Sequence, residues 1–94
     1  MYLVVFRAEI DQLDAEYTQT AKQLRDLALS EYGCRKFEAV VEDNVEITLS
    51  WWDSKNQIKA WKENTLHKDA QRRGRQQWYK RVDISICKVE SEYS

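Results

Sequence analysis

At ninety-four residues the chain fits one domain, 1–94, of a size that buries only about 60–65% of its unfolded surface. Its composition, 43% hydrophobic and 12% aromatic, is that of a folded protein, and a net charge of −1 argues against a general nucleic-acid binder. The charge is unevenly spread: residues 1–54 carry 5 basic and 11 acidic groups, and residues 55–81 carry 9 and 2.

Tyr2 to Ala8 reads as a strand, because β-branched and aromatic residues follow one another in a short run. Leu3 and Val5 lie on one face, Val4 and Phe6 on the other, so both faces are apolar and both ask for a cover. The same apolar run is too short for a signal peptide or a membrane span, which points to a cytoplasmic protein that does not enter a membrane. Cys34 and Cys87 then read as reduced thiols.

Asp11 to Ser30 follows as a helix, with Leu13, Tyr17, Ala21, Leu24 and Ala28 forming a stripe that reads as core packing. Asp11 or Asp14 serves as its cap, and Gly33 stands where a left-handed residue ends a helix. Arg35–Glu42 and Val45–Trp52 are strands joined by Asp43-Asn44, two residues that tolerate the positive φ of a tight hairpin. The second of these strands alternates: Val45, Ile47, Leu49 and Trp51 face one way, and Glu46, Thr48, Ser50 and Trp52 the other.

Ser54 opens a short helix with Gln57 as its capping-box partner, and Ile58 and Trp61 mark its buried side. Asn64-Thr65 interrupts it, and Thr65 is expected to cap a second helix running to about Tyr79. Leu66, Ala70, Gly74 and Trp78 share one face of that helix. A glycine inside a helix costs about 1 kcal/mol relative to alanine, so Gly74 implies a close approach to the sheet or to a ligand. Arg81 to Tyr93 completes the chain as a strand longer than the usual five or six residues, whose end is expected to leave its own sheet and lie on a partner.

The order β-α-β-β-α-β, with the second helix broken, is the ferredoxin-like α+β pattern: an antiparallel sheet with helices on one face. The bare face and the two-sided first strand point to two sheets packed face to face in a dimer.

Within that order, the segments SWWDS (50–54), Ala60-Trp61, His67 and AQRRGRQQWY (70–79) resemble the antibiotic biosynthesis monooxygenase superfamily, and the last strand, ending KVESEY, continues the likeness. The resemblance implies a homodimer built as an α+β barrel, with a small cavity between sheet and helices in each subunit. It also implies one of several activities. Some members oxygenate aromatic polyketide-type compounds or quinols with O₂ and neither metal nor flavin, others degrade haem, and many have no established activity. The haem-degrading branch carries an axial histidine on the helix after the tryptophan and an asparagine on the first strand. Here Gln71 holds the first place and YLVVFRA offers no asparagine, so no haem and no other cofactor is expected. One histidine and two distant cysteines supply no zinc set either.

The candidate catalytic residue is His67, the only side chain whose ordinary pKa lies near neutrality, in the role of general base. Trp52, Trp61 and Trp78 are candidate walls of a substrate pocket, or else ordinary core, and Tyr79 and Arg75 are candidates to orient a phenolate or keto oxygen. The basic run from Lys68 to Arg81 reads as a solvated helix face; no aromatic stacking motif on a strand accompanies it, so no nucleic-acid partner is expected. Two functions follow: a cofactor-free monooxygenase acting on a quinol or polycyclic phenol, or a non-catalytic dimer that binds a small aromatic ligand or regulates a partner. An inward-facing His67 beside Tyr79 or Arg75 favours the first.

Overall fold

A computed structural model describes residues 1–94. The elements run β1 (Tyr2–Ile10), α1 (Ala15–Glu31), β2 (Lys36–Glu42), β3 (Val45–Trp52), α2 (Lys55–Glu63), α3 (Thr65–Arg73), a π-turn (Gly74–Trp78) and β4 (Tyr79–Lys88). The four strands form one antiparallel sheet in the order β2-β3-β1-β4, with the helices on one face. The ferredoxin-like α+β architecture is thus as the element order implied.

Local chemistry sets most boundaries. Asp14 is the cap of α1, accepting from the Tyr17 N–H at 2.8 Å. Ser54 and Gln57 form a complete capping box on α2. Asp43 and Asn44 take φ of 51° and 63°, the hairpin geometry whose twist matches the strands. Gly33 turns the chain out of α1 at φ 80°.

Three expectations are corrected. Asn64, not Thr65, caps α3: its Oδ1 accepts from the Leu66 N–H at 2.8 Å, and its Nδ2 donates to the Tyr32 hydroxyl at 3.0 Å. The helix does not run on to Tyr79, because α3 stops at Arg73 and widens into the π-turn that starts at Gly74. The last strand is Tyr79–Lys88, not Arg81–Tyr93. Lys88 lies opposite Tyr2, the first residue of β1, and the Val89 N–H reaches the Met1 carbonyl at 2.9 Å. Beyond that point the chain leaves its own sheet, as its length implied.

Register assigns the faces. Ala8, Phe6 and Val4 lie opposite Glu46, Thr48 and Ser50 on β3, and opposite Val82, Ile84 and Ile86 on β4. These residues face the helices. Leu3 and Val5 share the open face with Val45, Ile47, Leu49 and Trp51. An antiparallel strand with one solvated face usually turns its apolar side to its own core. β3 does the reverse, turning Glu46, Thr48 and Ser50 inward. The core is a cluster of Val4, Ala28, Cys34, Trp52, Ile58 and Trp61 at the end of the sheet near α2. At the other end of the helix face, Ala8, Ala70, Gly74 and Trp78 are buried separately.

Candidate active site

Between the helices and the polar side of β3 lies a cavity of about 410 Å³, within the range of small-molecule sites. It opens beside α1, whose exposed Thr18, Ala21, Lys22 and Arg25 reach its wall. The α1 stripe expected to pack as core is therefore largely a cavity wall: Tyr17, Ala21 and Leu24 line the space, and only Ala28 is wholly in the core.

The π-turn brings two neighbouring aromatics to the site. Gly74 opens the widened turn, and the Tyr79 N–H bonds back to its carbonyl. At Tyr79 the backbone becomes extended (φ −123°, ψ 142°), and across that switch Trp78 and Tyr79 both line the cavity. The reason for Gly74 is local: a Cβ there would lie 3.1 Å from two carbons of the Tyr79 ring. π-turns are rare and often occur at functional sites.

The cavity has two unlike ends. At one, the Glu46 carboxylate accepts from the Tyr17 hydroxyl, from the Tyr79 hydroxyl at 3.2 Å on both oxygens, and from Thr48 Oγ1 at 3.3 Å. Trp78 packs edge-on against Tyr17, with centroids 5.4 Å apart. At the other, Trp61 stacks edge-on against His67 at 4.4 Å and against Phe37 at 6.2 Å. Phe37 lies opposite Ser50, four residues along β3 from Glu46, which at about 3.3 Å per residue separates the ends by roughly 13 Å.

Burial shapes the electrostatics. It pushes the Glu46 carboxyl above its ordinary value, although the Tyr79 and Thr48 hydroxyls partly offset this. The Tyr79 phenol is also pushed up, by burial and then by the adjacent carboxylate, so it stays a proton donor. His67 is pulled down to about 4, first by burial and then by the Lys62 charge. At neutral pH it is an uncharged imidazole, and its Nδ1 has no partner.

Of the residues singled out in the sequence, His67, Trp61, Trp78 and Tyr79 reach the cavity wall. Two do not. Trp52 is fully buried behind Trp61, 5.2 Å between centroids, with its indole N–H donated to Ser50 Oγ at 2.8 Å. Arg75 is exposed on the π-turn, away from the lining residues. Gln71, at the place of the haem ligand, lines the cavity with His67. Sequence reasoning missed Glu46 and Tyr17. The signal for Glu46 was the polar series Glu46-Thr48-Ser50, on a strand whose apolar face belongs to the open side of the sheet.

Comparison with known proteins agrees with this architecture. The family described as antibiotic biosynthesis monooxygenase matches residues 1–73. A Bacillus subtilis relative, YqjZ, itself uncharacterised, is 34% identical over 92 residues, 97% of this chain and 81% of the relative. SnoaB of Streptomyces nogalater, a cofactor-independent oxygenase, superposes with a TM-score of 0.80 at 11% identity, covering 97% of this chain and 94% of its own. A conserved protein of Methanosarcina mazei Go1 superposes at 0.77 with 18% identity, covering 90% and 88%. The chain belongs to the antibiotic biosynthesis monooxygenase family. No helix is long and apolar enough to cross a membrane.

Proposed function

We propose that this protein is a cofactor-independent monooxygenase acting on a small aromatic substrate, a quinol or a polycyclic phenol, and that it works as a homodimer. The observation that carries the reading is the cavity, walled by Phe6, Phe37, Trp61 and Trp78, with the ionisable Glu46, His67 and Tyr79 set into it. A shielded aromatic pocket suits a substrate anion held beside O₂. In such a reaction one oxygen atom enters the substrate carbon as a keto oxygen and the other leaves as water. The fold shared with SnoaB supports the same class.

His67 borders the substrate at the Trp61 end. Because its imidazolium is held acidic, it serves as a neutral hydrogen-bond partner to a substrate hydroxyl rather than as a strong base. A second copy covers the open sheet face, where Leu3, Val5, Ile47 and Leu49 form an apolar surface. Only 13 of 94 residues are buried in the single chain, which leaves much of the stabilisation to that contact.

The test is O₂ consumption with a panel of quinols and anthrone-like phenols, without added metal or flavin. Turnover is expected, and His67→Ala should lower kcat/KM by about tenfold, the scale of one hydrogen bond to a neutral partner. The second reading is a non-catalytic binder of small aromatic ligands, which the same aromatic-walled cavity suits. Absence of turnover across the panel would decide for it.

A further inference from the structure

We propose that Glu46 is the proton acceptor of the cavity, positioned by Tyr17 and Tyr79, and that the ligand it takes carries an oxygen at each end, a hydroxyl for Glu46 and an acceptor for the Trp61 indole. The assignment rests on the oxygenase reading for its chemistry, but the recognition it describes is measurable by binding alone.

The geometry is unusual for a carboxylate that only holds a fold together. Glu46 is 5% exposed, yet no cation pairs with it. Every partner is a hydroxyl: Tyr17 from α1, Tyr79 from β4 and Thr48 from its own strand. The residues opposite it, Ala8 on β1 and Val41 on β2, carry no charge. A buried carboxylate without a counter-ion costs stability, whereas an apolar residue on the same inward face would not. Tyr79 shares one proton between both carboxylate oxygens at 3.2 Å, a divided contact that a stronger donor displaces. A phenolic hydroxyl is such a donor.

The rest of the cavity says what else the ligand carries. Trp61 and Trp78 are 7% and 3% exposed, both line the space, and the indole N–H of each has no partner. Trp78 belongs to the Glu46 end through Tyr17, and Trp61 to the His67 end. Each end therefore has an unmet donor, and a flat ligand with an oxygen at either end meets both. In the step proposed, the quinol O–H breaks heterolytically and its proton passes to a Glu46 oxygen. The electron pair stays on the substrate oxygen as a phenolate, and O₂, the oxidant, forms a C–O bond at a hydrogen-bearing ring carbon to give a peroxide anion. The Glu46 acid returns its proton to the distal peroxide oxygen; the C–H and O–O bonds of that carbon's peroxide then break, the carbon keeps one oxygen as a keto group, and the released hydroxide leaves with the carbon's proton as water. Burial favours this role, since it lifts the Glu46 carboxyl towards the range in which it can exchange a proton with a bound phenol.

The experiment is isothermal titration under nitrogen with naphthohydroquinone and its dimethyl ether, across pH. Wild type should prefer the quinol. Glu46→Gln should lose about tenfold or more in quinol affinity, as expected for a hydrogen bond to a charged group, with the ether unaffected. Quinol affinity should rise with pH as Glu46 ionises. Tyr79→Phe removes a donor to the ionised form and should move that midpoint to higher pH, a readout that a merely structural contact leaves unchanged. This second variant keeps the carboxylate and decides the matter if Glu46→Gln fails to fold. Equal affinity for quinol and ether in wild type, no quinol binding, an unaltered Glu46→Gln, or an unmoved Tyr79→Phe midpoint would each overturn the assignment. Since no O₂ is present, failure of turnover leaves this result standing, and turnover that persists in Glu46→Gln removes Glu46 while leaving the oxygenase.

Discussion

Replacing Gly74 with leucine sets helix propensity against packing. Propensity alone predicts a gain of about 1 kcal/mol. The backbone raises no objection, since φ −58° and ψ −48° suit any L-residue. The conflict is steric: a Cβ would lie 3.1 Å from Cδ2 and Cε2 of Tyr79 and 3.6 Å from Cε3 of Trp78. The Tyr79 ring is not free to yield, because its hydroxyl is bound to Glu46 at 3.2 Å and its ring packs edge-on against Phe6 at 5.6 Å. Overpacking costs about 1–3 kcal/mol, and a lost hydrogen bond to a charged group about 1.5–3 kcal/mol. Against the gain, a net loss of about 1.5–5 kcal/mol is expected. Gly74→Ala adds only the Cβ and should stay within about 1 kcal/mol of wild type, the propensity gain offsetting a small ring shift. Urea unfolding followed by far-ultraviolet circular dichroism, at fixed protein concentration, measures both. A leucine variant with a midpoint at or above wild type would refute the reasoning and show that propensity decides at this position.

Two further outcomes are expected. Light scattering on a size-exclusion peak should give about twice the 11.3 kDa chain mass, and Leu49→Lys, in the middle of the apolar sheet face, should give a monomer; a monomeric wild type at micromolar concentration sinks the covered-face argument. Stability should also respond to pH with two opposed slopes. The folded state holds His67 at about 4 against an ordinary 6.5, so the unfolded chain takes up the proton first, and stability falls with acid between those values by up to about 1.4 kcal/mol per pH unit. Glu46 is raised above its ordinary 4.5, so its contribution weakens as pH rises from 4.5 towards the folded value. Urea midpoints between about pH 4 and 7, the window of these shifts, should lose the acid slope in His67→Gln and the opposed slope in Glu46→Gln; unchanged profiles would show that neither group titrates differently on folding.

The sequence by itself determined the order of elements, the Asp43-Asn44 hairpin, the Ser54–Gln57 capping box and the turn at Gly33. Each depends on residues a few positions apart, where backbone preference and side-chain reach decide. Half of the site was legible in the same way, as the run from Trp61 through His67 to Trp78 and Tyr79. Tertiary structure decided the rest. Alternation along Val45–Trp52 separates two faces, but nothing within the strand says which one meets the helices. That choice depends on what covers each side, and it put Glu46 indoors and the apolar residues out. The hydroxyls that hold Glu46 come from Tyr17, 29 residues earlier, and Tyr79, 33 residues later, a proximity created by α1 lying over the sheet and by β1 pairing between β3 and β4. The end of β4 was decided elsewhere too, by its register with β1, because a strand continues only as far as a neighbour can accept its hydrogen bonds.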